Sequence, residues 1–139
     1  LRFHLPPATR KHFKQPKNHF VKKDPTIFLF HILEHIQATE SFIKNINTFE
    51  DFAEDQKTNF AVTRALEIVG EASKNLPKSL KDKYENVPWK DIAGTRNRLI
   101  HEYFGVDLRL MLKITQQELP VLKIQIEKIL DDLKVQKLL

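Results

Sequence analysis

Asp55-Gln-Lys-Thr-Asn-Phe-Ala-Val-Thr-Arg-Ala-Leu-Glu-Ile-Val-Gly-Glu-Ala-Ser-Lys-Asn75 sets Val62, Ala65, Leu66, Val69 and Ala72 on one helical face, with Leu76 just beyond. The i, i+3, i+4, i+7 spacing predicts an amphipathic helix over residues 55–75. Arg64, Glu67 and Glu71 project from the opposite side. Read by itself, that row is a solvated ion-pair row, Arg64 with Glu67 or Glu71.

Working upstream, Asp24-Pro25 is a helix start, an N-cap acid with proline at N1. Leu29, Ile32, Leu33, Ile36 and Ile43 then form an apolar stripe that predicts a helix to about Asn47. His31 and His35, four apart, have the spacing of two metal ligands on one helix face. The sequence offers no evident third or fourth ligand, and both read as ordinary helix residues. Thr48 to Glu54 reads as a short capped helix anchored by Phe49 and Phe52. Residues 1–23 hold seven Lys or Arg, no acid, and Pro6, Pro7 and Pro16. This composition predicts a poorly ordered basic extension ahead of a helical domain over residues 24–136.

Downstream, Pro77 to Val87 reads as a polar connection with one short helix through Leu80 and Tyr84. Pro88 fits N1 of the next helix, with Trp89 turned into the core. Trp89, Ile92, Leu99 and Ile100 carry that helix at roughly helical spacing, Gly105 supplies a C-terminal stop, and Asp107 can cap the following helix. Gly94 in its interior costs about 1 kcal/mol relative to alanine, which predicts that another backbone comes close there. Leu108, Leu110, Leu112 and Ile114 begin a further helix, which Pro120 kinks or restarts. Leu119, Leu122, Ile126, Ile129, Leu130 and Leu133 form the near-heptad seam of the last. The expectation is an all-α, antiparallel up-and-down bundle of four main helices and one or two short ones.

A chain of 139 residues with 41% hydrophobic content suits a single packed core. There is no cysteine, hence no disulfide framework and no thiolate metal site. No apolar run approaches the ~20 residues of a membrane span and no secretory segment opens the chain, so the expected location is the cytoplasm. The net charge of +5 is concentrated in residues 1–23, leaving a nearly neutral domain whose overall charge says little about nucleic acid.

The chemistry is concentrated between Arg96 and Tyr103. If the helix continues through this stretch, Asn97 and His101 stack one turn apart, and the amide can fix the imidazole tautomer. Arg96 would then point about 140° away from His101, which favours a composite site between two copies of the chain. An imidazole that titrates near neutrality and a guanidinium that holds a phosphate are sufficient for RNA cleavage through the substrate's own 2′-hydroxyl, without a metal. Arg and His near a helix C-terminus are also ordinary capping residues. Spacing alone does not separate the two.

Pro88-Trp-Lys-Asp-Ile-Ala-Gly-Thr-Arg-Asn-Arg-Leu-Ile-His-Glu-Tyr-Phe-Gly-Val-Asp107, with Leu66-Glu-Ile-Val-Gly-Glu-Ala72 upstream, resembles the HepT-like family of HEPN-domain proteins. The family signature, Arg-x4-6-His followed by x-Tyr, reads here Arg96-x4-His101-x-Tyr103, and the resemblance runs from about Asp24 to about Leu133. It implies an all-helical, homodimeric endoribonuclease toxin of a type VII toxin-antitoxin system, needing no cofactor or metal. Arg96 and His101 would be catalytic, Asn97 would support His101, and Arg64 and Glu71 would lie near the groove. The resemblance further implies an antitoxin nucleotidyltransferase that adds AMP to Tyr103. Two other readings remain: a non-catalytic module that binds a nucleotidyltransferase or a nucleotide, and a metal-carrying bundle. The latter needs Glu-x-x-His pairs on several helices, which this sequence lacks.

Overall fold

A computed structural model of the protein describes residues 24–101 and 105–138, with His101, Lys137 and Leu138 described by backbone alone. The expected basic extension, 1–23, lies outside the described residues. Helix α1 spans Pro25–Phe42, and the Asp24 carboxylate accepts the Thr26 amide at 3.0 Å. It stops short of Asn47: Ile43 leaves helical geometry and the Ile46 amide closes on the Ile43 carbonyl at 2.9 Å. Asn45 and Asn47 favour such turns over helix. Helix α2, Phe49–Glu54, is capped by the Thr48 hydroxyl, which accepts the Asp51 amide at 3.1 Å. Helix α3, Gln56–Lys74, is capped by Asp55, which accepts from both the amide and the hydroxyl of Thr58.

After the short α4, Lys78–Lys83, the Trp89 indole is half-buried and donates to the Tyr84 carbonyl at 3.0 Å. Pro88 stands at the N-cap, one position before its expected place. The single helix predicted over the motif is instead two five-residue helices, α5 (Trp89–Ala93) and α6 (Thr95–Leu99), joined at Gly94. Two short antiparallel strands follow, β1 (Ile100–His101) and β2 (Gly105–Val106), paired Ile100 with Val106 and His101 with Gly105.

Helix α7 (Leu108–Lys113) runs through a π turn, Ile114–Glu118, into α8 (Leu119–Leu138). Pro120 therefore ends nothing. In regular α geometry its ring would clash with the carbonyl four residues back; the wider π turn, in which the Leu119 amide reaches the Ile114 carbonyl, accommodates it without a break.

The bundle order follows from long-range contacts. Lys123 pairs with Glu40 at 3.1 Å, and the opposite ends of the same two helices meet where Thr26, Phe30 and Leu33 face Leu130, Leu133 and Lys134, so α1 and α8 are antiparallel. Gly70 of α3 touches Ile92 and Ala93, while Arg64 shares a cleft with Arg96, so α5–α6 is antiparallel to α3. The all-α, up-and-down arrangement is thus present, with its fourth member broken in two. Leu29, Ile32, Ile36, Phe52, Val62, Leu66, Met111, Ile126 and Ile129 form the fully buried centre. Among the described residues, no helix is long and apolar enough to cross a membrane.

Candidate active site

Gly70 is where the candidate site begins. A Cβ built there would stand 3.1 Å from the Ile92 carbonyl oxygen, a tight contact that obliges the carbonyl to give by a few tenths of an ångström. That oxygen is pinned, since it also accepts the Thr95 hydroxyl at 2.7 Å. The close backbone approach expected at Gly94 occurs at Gly70; a Cβ on Gly94 would meet only the Lys90 and Asp91 carbonyls of its own turn.

This contact draws α5–α6 onto the polar face of α3. Arg64, Glu67 and Glu71 from α3 and Arg96 from α6 line one cleft of about 200 Å³, floored by Leu66, Gly70 and Ala93. Arg64 pairs with Glu67 at 3.4 Å, not with Glu71, which pairs with Lys74 at 3.2 Å. Both pairs are well exposed and contribute little to stability. Among the described residues no acid stands within ion-pair distance of Arg96, which is exposed. The cleft therefore presents two guanidinium groups and two carboxylates to solvent, an arrangement that can hold a phosphodiester and hydrogen-bond a neighbouring hydroxyl.

Asn97 is exposed on α6, and the helix ends at Leu99. Asn97 and His101 therefore do not stack on one helical face, and the 140° separation of Arg96 from His101 does not apply. Three features replace the expected turn of helix. Ile100 is β-branched and extended at φ −94° and ψ 117°, Gly105 takes φ +74°, and the Asp107 amide donates to the Leu99 carbonyl at 2.7 Å. Gly105, expected as a helix stop, instead lets the chain fold back on itself. Tyr103 lies outside the described residues.

Arg98 was given no role by the sequence, yet it makes the most specific polar contact of the motif. Its guanidinium donates to both oxygens of Glu118, at 3.1 and 3.0 Å, tying α6 to the π turn. The Glu118 hydrogen bonds hold its pKa above the ordinary arginine value, against the opposing effect of burial. Two residues correspond to about 200° round a helix, so Arg98 turns towards the C-terminal helix while Arg96 faces the cleft. That phase is the only sequence signal. A second cavity of about 290 Å³, with Leu66, Val69, Ile92 and Leu122 in its lining, lies along the Arg98–Glu118 pair and is mainly apolar. On α1, the His35 Nδ1–H donates to the His31 carbonyl at 2.7 Å, and the described residues gather no group of three metal-ligating side chains.

Residues 32–129 match the protein family described as "Ribonuclease HepT-like". Over 109 residues the chain is 46% identical to "Probable ribonuclease HepT" of Thermococcus cleftensis, covering 78% of this chain and 98% of that protein. Two proteins that carry the name "Putative RNase" are also similar. One, from Methanocaldococcus jannaschii, is 40% identical over 81% of this chain and 93% of its own. The other, from Caldanaerobacter subterraneus, is 46% identical over 78% and 96%. No solved structure matches. With the family match spanning most of the chain and relatives aligned along nearly their full length, the chain belongs to the HepT-like ribonuclease family.

Proposed function

We propose that the protein is a metal-independent endoribonuclease, the toxin of a type VII toxin-antitoxin system acting in the cytoplasm, with its activity in the domain over residues 24–136. The observation that carries this reading is the cleft: in a chain of a ribonuclease family, Arg64 and Glu71 of α3 and Arg96 of α6 line one polar groove, and the strand that holds His101 follows α6 directly in the chain. His101 takes the proton of a ribose 2′-hydroxyl, and the freed oxygen attacks the adjacent phosphorus. Arg96 holds the phosphate and stabilises its developing charge, and the 5′-oxygen leaves with a proton returned by an acid. Arg64 and Glu71 support the substrate from α3, and Asn97 supports the site from α6.

In this reading the protein works as a two-fold homodimer; the family resemblance supports the dimer, since the helical angle no longer does. Its antitoxin is a nucleotidyltransferase that transfers AMP to Tyr103. The added phosphodiester brings a negative charge and a bulky adenosine to the exit of the motif, where Arg96 pairs with it in place of RNA.

The test is cleavage of RNA in EDTA. Arg96→Ala and His101→Ala each abolish it while the helical circular-dichroism signal persists. Near wild-type cleavage by either variant rejects the assignment. A strict magnesium requirement rejects the metal-free mechanism, and a wild-type protein that binds but never cleaves supports a recognition module instead.

A further inference from the structure

Phe60 is 65% exposed and stands on the helix that walls the cleft. It precedes Arg64 by four residues and Glu67 by seven, so it shares their face, about 6 Å farther towards the N-terminus of α3. Lys57, three residues before it, is exposed as well. The row Lys57, Phe60, Arg64 sets an aromatic ring between two cations. Because α6 is antiparallel to α3, the chain leaves Arg96 towards the Phe60 end of that row. An isolated exposed apolar side chain ordinarily needs no explanation. Phe60 differs from Phe30, Val121, Ile124 and Val135, which are exposed on α1 and α8, in continuing the face that carries Arg64 into the cleft.

We propose that Phe60 is a stacking platform for an unpaired base of single-stranded RNA, next to the phosphate held between Arg64 and Arg96. This rests on the ribonuclease reading above and adds its substrate class. Aromatic faces flanked by cations bind single strands with little sequence preference, because every base has a π-face and a base in a duplex does not expose it. Charge favours this occupant over a second copy of the chain. A two-fold contact centred on Phe60 would set Lys57 of one copy against Arg64 of the other, whereas phosphates complement both.

The test is fluorescence anisotropy of the whole protein with a labelled single-stranded oligonucleotide, 2′-O-methylated throughout so that it cannot be cleaved. Phe60→Ala weakens binding at least about fivefold, the lower end of what a stacked base contributes. Phe60→Leu, which keeps apolar bulk without a π-face, loses the same, and Phe60→Trp binds at least as tightly as wild type. With an abasic strand all four proteins bind alike. Equal affinity of wild type and Phe60→Ala for the base-bearing strand overturns the proposal, as does a Leu variant equal to wild type. A fall in mass by light scattering on Phe60→Ala also overturns it, making Phe60 a contact between copies. If Arg96→Ala abolishes cleavage while Phe60→Ala binds normally, the ribonuclease reading stands without this subsite; if wild type neither binds nor cleaves RNA, both fall.

Discussion

Arg96 and Arg98 belong to the same short helix, and their surroundings divide their work. Arg98 is fixed at both ends of its fork by Glu118, whereas Arg96 opens onto the cleft. Arg98→Ala is therefore expected to lower unfolding stability by up to about 1 kcal/mol in urea, the upper end for a partly exposed pair. Arg96→Ala should change stability by less than about 0.5 kcal/mol while removing cleavage. The outward placement of Arg64 and Glu71 was legible from the phase of the α3 stripe, whereas their nearness to a groove came only with the family resemblance. The Arg98–Glu118 contact was not, because twenty residues separate the partners and no local period links them.

Tyr84 and Asp132 are another side-chain pair that sequence could not foresee. The phenol donates to the carboxylate at 2.7 Å. Burial, and then that hydrogen bond, push the Tyr84 pKa up to about 12, and the same bond holds the Asp132 carboxyl below its usual value. A depressed acid stabilises the fold above its ordinary pKa and loses that contribution as pH falls through the lowered one. A raised phenol contributes fully below its ordinary pKa and loses it as pH rises through the folded value. Wild type should thus hold this contribution across neutral pH and lose it below about pH 4 and above about pH 10. Tyr84→Phe should flatten both limbs in urea melts taken across that range.

At the scale of elements, α1, α2, α3 and α7 were legible because their caps read directly from the sequence: Asp24, Thr48, Asp55 and Asp107 each bond an amide of the first turn. The motif segment was misread for a physical reason. Residues 89–100 keep a helical apolar spacing, but Gly94 divides them and the pairing of β1 with β2, made possible by the positive φ of Gly105, overrides the local pattern. Gly105→Ala should cost about 1–2 kcal/mol by forcing a side chain into left-handed geometry. Gly70→Ala tests the approach of α3 to α5. Helix propensity favours alanine by about 1 kcal/mol, but its Cβ must push the pinned Ile92 carbonyl away. The expected outcome is a melting temperature near wild type with cleavage reduced at least about tenfold, since small displacements of a site cost rate steeply.

At the scale of the whole molecule, the proposed roles of Arg96 and His101 require the two groups to meet at one substrate. Mixing Arg96→Ala chains with His101→Ala chains should restore cleavage if the groups act across a dimer, because one of the two sites then keeps both. No recovery in a mixture that light scattering shows to be dimeric would place both groups on one chain. Incubation with the cognate nucleotidyltransferase and ATP should add AMP to Tyr103 and silence the wild type. Tyr103→Phe should keep some activity and escape silencing, and mass spectrometry that finds AMP elsewhere would move the regulatory site.

The two five-residue helices and the two-residue ladder carry a further consequence. Segments this short have almost no stability of their own, so α5, α6 and β1 keep their shape only while α3 and the π turn hold them. Their amides should therefore exchange with deuterium through local openings, far sooner than those at the centre of α3 or α8, which open only when the whole domain does. A bound RNA or protein that spans the cleft would slow exchange first at Thr95–Leu99, which makes hydrogen exchange a direct reporter of occupancy and independent of any cleavage assay.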